Sequence, residues 1–184
     1  MPDQYITLLT PLLSAAVGGV VALASVYFTN HSNTQRVQLQ LDREEQRRNA
    51  DVRRDRGEEL YMLTEQWLNG LGVNYLNQTF VMQGKLTYNQ YLDLVISNGE
   101  KNAVNFPRIA LLIDLYFPNT RKAYDDVISI RTTLNRISGA HKRAYEGGDI
   151  DGARFLTPFV EAQKTIEAAG EAYKRQIVES IRGI

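Results

Sequence analysis

The 184-residue chain has no cysteine, only two histidines and five prolines, and its 21 Lys plus Arg balance 21 Asp plus Glu. Each shortage excludes something. Without cysteine there is no disulfide, no thiolate nucleophile and no cysteine-rich metal site. The residues three before His31 and His141 are Phe28 and Ser138, so the Glu-x-x-His pairs that hold a di-metal centre in a helical bundle are missing. A balanced charge removes the global field that draws a chain to nucleic acid. Arg131, Arg136, Lys142 and Arg143 scatter around their helix, so no nucleic-acid surface is expected. Phosphate-binding glycine spacings are absent. Asp149-Ile-Asp-Gly152 lacks the spacing of a calcium loop and reads as a turn. The sequence therefore predicts no catalytic group, no cofactor, no metal site and no small-molecule substrate.

No proline falls between Pro11 and Pro107, no strand-like alternation appears, and Leu, Arg, Glu, Gln and Ala are abundant. That composition predicts an all-α fold.

What is present begins with a run free of charge. Residues 5–28, YITLLTPLLSAAVGGVVALASVYF, contain no Asp, Glu, Lys or Arg. A membrane-spanning helix needs about 20 mostly apolar residues, and Tyr5, Tyr27 and Phe28 supply aromatics at both ends. A buried core helix and a signal peptide cut after Ala22-Leu23-Ala24 are the rivals. The first would have to be enclosed on all sides. The second lacks a Lys or Arg ahead of the apolar run. A retained anchor is the reading, with Pro11 behind Thr10 marking the start of the helix. Only Asp3 precedes the run, whereas Arg36, Arg43, Arg47 and Arg48 follow it. The positive-inside rule then puts the N-terminus outside and the rest of the chain in the cytoplasm.

Within the run, Ser14, Gly18 and Ala22 are spaced by four, as are Ala15 and Gly19. In lipid, helices associate through close backbone contact at such small-xxx-small ridges. Ser14, Ala15, Gly18, Gly19 and Ala22 are the expected association surface, toward a second copy or another membrane subunit.

Residues 42–59, DREEQRRNADVRRDRGEE, follow as a charged connector. Glu44 with Arg48, Asp51 with Arg54, and Arg54 with Glu58 stand at helical neighbour spacings. A seam through Val37, Leu41, Arg48 and Val52 is thin for a coiled coil, so a solvated helical spacer of about 25 residues, about 38 Å, is expected.

From Leu60 the pattern becomes that of a packed core. Leu60, Leu63, Trp67, Leu71 and Tyr75 stripe a first helix. Thr87 and Gln90 form a capping box for a second. Pro107 opens a third, very apolar segment. Val127, Ile130, Leu134, Ile137, His141 and Ala144 stripe a fourth, stopped at Gly147-Gly148. Thr157 and Pro158 are placed to start a fifth, with Ile166, Ala169, Tyr173, Ile177 and Ile181 inside. His141, on the apolar stripe, reads as a core or rim histidine. Tyr61, Tyr75, Tyr88, Tyr91, Tyr116 and Tyr124 read as core-edge aromatics, with a pocket or partner surface as the alternative. The expected organisation is an anchor over 1–30, a charged stalk over 31–59 and a cytoplasmic bundle of four to five helices over 60–184.

Residues 108–118, RIALLIDLYFP, after a charged stalk and an apolar N-terminal run, resemble a group of small bacterial single-span membrane proteins. That group shares an R-I-x-x-L-I-x-L-Y-F-P-like signature and has no established activity. The resemblance implies a bacterial inner-membrane location and this topology, and no chemistry. Arg108, Ile109, Leu112, Tyr116 and Phe117 are accordingly expected as a partner contact or a core element. The functional expectation is a non-enzymatic, membrane-anchored interaction protein. A membrane-perturbing effector is the alternative, and only Thr10, Ser14 and Ser25 would give its span a polar face. An enzyme with an unrecognised pocket is the remoter one.

Overall fold

In the computed structural model the described residues are 3–99 and 103–183, and side chains are described for most positions from 25 onward. The expected association surface, Ser14, Ala15, Gly18, Gly19 and Ala22, lies outside the residues whose side chains are described. The described residues are all-helical and include no strand. The elements are α1 (Asp3–Met82), α2 (Tyr88–Gly99), α3 (Phe106–Tyr116), a 3-10 turn (Pro118–Thr120), α4 (Arg121–Glu146) and α5 (Ala153–Arg182). Among the described residues no helix is long and apolar enough to cross a membrane.

The chain divides into two units, 1–50 and 51–184. In the first, α1 starts at Asp3, so Pro11 does not mark the helix start; a proline withholds only one of the many hydrogen bonds that carry a long helix. Every described side chain between 25 and 49 is exposed. The ion pairs expected of Glu44 with Arg48 and of Asp51 with Arg54 are not formed among the described residues, whereas Arg54 Nε meets Glu58 Oε1 at 3.3 Å. Exposed pairs of this kind are worth a few tenths of a kcal/mol, too little to hold long side chains in one geometry.

The second unit begins before Leu60, the boundary drawn from the apolar pattern. Gly57 is buried, and a Cβ there would sit 3.1 Å from the Phe117 ring and 2.6 Å from Ile181 Cδ1. Packing of α1 thus starts a turn earlier than its first large apolar residue, because a glycine lets neighbouring side chains reach its backbone. The core draws Leu60, Trp67, Tyr75 and Met82 from α1, Ile109, Leu112, Ile113 and Phe117 from α3, Val127 and Leu134 from α4, and Phe159, Ile166, Tyr173 and Ile177 from α5. On α4, Val127, Leu134 and His141 recur at a seven-residue interval, as do Phe159, Ile166, Tyr173 and the buried Ser180 on α5. That interval keeps one face turned to a neighbouring helix.

Local chemistry sets the element ends. After α1, Lys85 N–H donates to Phe80 O and Gly84 N–H to Val81 O. Gly84 has φ +68°, the left-handed residue such a C-terminal motif requires. The same pattern closes α4, where Gly148 at φ +91° donates to Tyr145 O and Asp149 to Ala144 O. The α2 capping box is present: Thr87 N–H donates to Gln90 Oε1 at 2.9 Å and Gln90 N–H to Thr87 Oγ1 at 3.2 Å. Asn105 caps α3 by accepting from Arg108 N–H at 3.0 Å.

The fifth helix starts earlier than Thr157 and Pro158 suggest. It begins at Ala153, with Pro158 inside it. Asp151 Oδ1 accepts from Ala153 N–H at 3.0 Å, Arg154 Nη2 meets Asp149 Oδ2 at 2.9 Å, and Phe155 and Leu156 pack on the core. Those contacts outweigh the single N–H that proline withholds.

Candidate functional site

The segment 108–118 is explained by packing. Ile109, Leu112, Ile113 and Phe117 are fully buried, and Tyr116 packs half-buried against the core. Arg108, from the first turn of α3, reaches α1 and grips Glu59 with both arms, Nε to Oε1 at 2.6 Å and Nη2 to Oε2 at 2.7 Å. Arg56 adds a third bond at 3.0 Å. Bidentate guanidinium–carboxylate geometry is among the strongest charge-assisted arrangements. The Arg108 guanidinium, seconded by Arg56, holds the Glu59 carboxyl down at about 2 although burial opposes it. The large apolar side chains that the segment leaves exposed are Leu111 and Leu115, which the sequence pattern had not singled out.

A depression on the second unit runs between α1 and α5, with a volume of about 450 Å³. It falls in the size range of ligand clefts. Leu68 and Leu71 from α1 and Ile166 from α5 give it apolar walls. Some of its polar groups pair with neighbours, whereas the Tyr75 hydroxyl on its wall is buried without a hydrogen-bond partner. Lys174 Nζ lies 2.7 Å from Glu171 and 3.5 Å from Glu65, and Gln163 Nε2 donates to Thr79 Oγ1 at 3.1 Å. A smaller depression of about 150 Å³ between α1 and α2 is lined by Val73, Asn77 and Leu94. The larger groove can bury an apolar side chain or ligand against leucine and isoleucine. Sequence patterning did not find it, since its lining residues come from helices about a hundred residues apart in the chain and no local spacing links them.

His141 is buried in a box formed by Tyr88 of α2, Tyr145 of α4 and Phe155 of α5, with ring centroids at 6.1, 6.2 and 5.4 Å. Its Nε2 is buried without a hydrogen-bond partner. Burial holds the imidazole below its ordinary value, with Asp149 opposing and Arg154 assisting. Tyr75 and Tyr173 are pushed up to about 12 by burial, so both phenols are neutral in any physiological medium. Tyr91 is buried too, accepting from Gln78 Nε2 at 2.8 Å and donating to Asn74 Oδ1 at 2.9 Å. Tyr61 and Tyr124 pack on the core edge. The described residues contain no group of three or more His, Cys, Asp and Glu placed to hold a metal ion.

A pH dependence follows from His141. In the fold it binds a proton only below its ordinary value, whereas the unfolded chain titrates near 6.5. Below that pH the unfolded state carries more protons, so stability is level above about 6.5 and falls as the medium is acidified toward the depressed folded value. Thermal midpoints of the full chain between pH 8 and pH 5 are expected to drop, and His141→Phe is expected to flatten that part of the curve.

Against known proteins the chain matches no family model, no curated protein and no solved structure.

Proposed function

We propose that the chain is a non-enzymatic, membrane-tethered interaction protein. In this reading residues 5–28 cross the bacterial inner membrane once, with the N-terminus outside. The ridge of Ser14, Ala15, Gly18, Gly19 and Ala22 associates with a second copy or another membrane subunit. The helical bundle faces the cytoplasm and offers the apolar groove between α1 and α5 to a partner. The observation that carries it is the charge pattern: no Asp, Glu, Lys, Arg or His from 5 to 28, then Arg36, Arg43, Arg47 and Arg48 on one side only. The apolar walls of the groove and the pairing of Lys174 with Glu171 support binding rather than chemistry.

The test is fractionation of cells making the full chain. It is expected to sediment with membranes, to resist high salt and alkaline carbonate, and to dissolve only with detergent. In mild detergent its native mass is expected to exceed that of one copy. Gly18→Leu, which blocks close backbone approach, is expected to lower the associated fraction while leaving the protein in the membrane. Recovery in the aqueous supernatant overturns the tether, and a single-copy mass without companions overturns the association.

A further inference from the structure

Residues 66–84 contain no Asp, Glu, Lys or Arg, yet Gln66, Asn69, Gly72, Val73 and Leu76 in that run face solvent. Val73 and Leu76 are 47% and 50% exposed. A solvated helix face ordinarily carries charge, whereas depletion of charge marks the centre of a protein interface. This face borders the groove between α1 and α5. Leu68, Gly72 and Leu76, at four-residue intervals on α1, all line it. Side chains at that interval share one face of a helix, so Gly72 is a notch in an apolar ridge.

The two glycines that line the groove differ. A Cβ at Gly170 would lie 2.9 Å from Leu68 Cδ1, so the chain fills that hollow itself. A Cβ at Gly72 would meet nothing within 4 Å. A glycine inside a helix weakens it relative to alanine, and no packing within the chain requires this one. Its notch is open to a side chain from outside.

The lining runs along α5 from Gln163 to Lys174, about 16 Å or three helical turns. Glu167 and Glu171 stand there with a single cation, Lys174, which pairs with Glu171 and Glu65. Glu167 is exposed and has no ion pair among the described residues. Three carboxylates thus face one ammonium, and the surplus charge is negative.

We propose that this groove takes an amphipathic helix of a partner protein, about three turns long, with apolar side chains toward Leu68, Leu76 and Ile166 and Lys or Arg along its flanks. The inference rests on the reading of the bundle as a binding module and names what it binds. A helix laid between two helices sets its ridge of side chains into their groove, and a large side chain from it fills the notch at Gly72. An apolar small molecule inside the groove leaves Val73, on the outer side of α1, uncovered. An anionic lipid surface is repelled by the surplus carboxylates.

The full chain, in discs of zwitterionic lipid with empty discs as the blank, is titrated with three fluorescent peptides of about 15 residues, four helical turns. One has leucines at alternating three- and four-residue intervals and lysines on both flanks. The second carries glutamates in place of the lysines, and the third keeps the first composition with the leucines scattered. A chain recovered in the supernatant is titrated in plain buffer, so failure of the tether does not touch the result. The lysine peptide is expected to bind about tenfold more tightly than the other two. Gly72→Leu fills the notch and is expected to weaken it about tenfold, with a thermal midpoint no lower than the parent's, since leucine is the better helix former. Glu167→Lys, at an exposed position without an ion pair, is expected to weaken the lysine peptide and strengthen the glutamate one. Equal binding of the three peptides, or lysine-peptide binding untouched by both variants, overturns the proposal. Binding of a long-chain fatty acid and of none of the peptides, lost in Gly72→Leu, overturns the helix and leaves the groove as a binding site. Binding of none of these probes overturns both.

Discussion

Replacing Phe117 by alanine is expected to cost the bundle about 3–5 kcal/mol, the usual loss when a buried phenylalanine is cut back to a methyl group. The side chain is fully buried and sits where three helices meet. It closes α3, its backbone N–H bonding to Ile113 O and Leu112 O. Its ring takes the Arg53 guanidinium of α1 at 5.7 Å and lies close to Gly57. No single neighbour can collapse into the space, because each belongs to a different helix held by its own contacts. Against a total stability of about 5–15 kcal/mol, such a loss is a large fraction of the whole. Leu115→Ala, two residues earlier but 66% exposed, is expected to change stability by no more than about 0.5 kcal/mol. Urea unfolding of the two full-length variants beside the parent separates these outcomes. Equal effects would mean that residues 108–118 serve as surface rather than core.

The contrast between Phe117 and Leu115 also marks how far this region is legible in the sequence. Helix stripes are local patterns, and they survive folding: Leu60, Trp67 and Tyr75, Val127 and Leu134, and Ile166, Tyr173 and Ile177 are all buried as their spacing requires. Capping is local too, so Thr87 with Gln90 could be read directly, as could the glycine stop after α4. His141 followed from its place on an apolar stripe. What escaped depends on distant partners. Nothing near Arg108 points to Glu59, which stands 49 residues earlier inside a run of charges that reads as solvated. Its partner draws that part of the run into the packed unit. The groove escaped for the same reason, since its two walls share no sequence neighbourhood. Thr157-Pro158 misled because a strong local start signal sat inside a helix whose first turn is fixed by Asp149, Asp151 and the packing of Phe155.

That same connection between α4 and α5 carries the second large effect, at Gly152. Its φ of −85° is ordinary for any residue, so backbone strain does not demand glycine here. Space does. A Cβ at 152 would lie 2.5 Å from Met82 Cα and 2.8 Å from its carbonyl carbon, closer than carbon atoms can approach. Met82 ends α1, and its backbone is fixed by the hydrogen-bonded motif around Gly84. Gly152→Ala must therefore push the start of α5 away from the end of α1. At an unhindered site the same change stabilises by about 0.4–1 kcal/mol through the unfolded chain. Here overpacking reverses the sign, with a loss of about 1–3 kcal/mol expected. Gly57→Ala is the informative companion. The Cβ there meets Cγ1 and Cδ1 of Ile181, side-chain rather than backbone atoms, so its loss is expected to be the smaller. Thermal unfolding of the two variants decides the matter: the order Gly152→Ala below Gly57→Ala below parent supports a close backbone approach between α1 and α5. A Gly152→Ala protein as stable as the parent would show that the two helix ends do not meet.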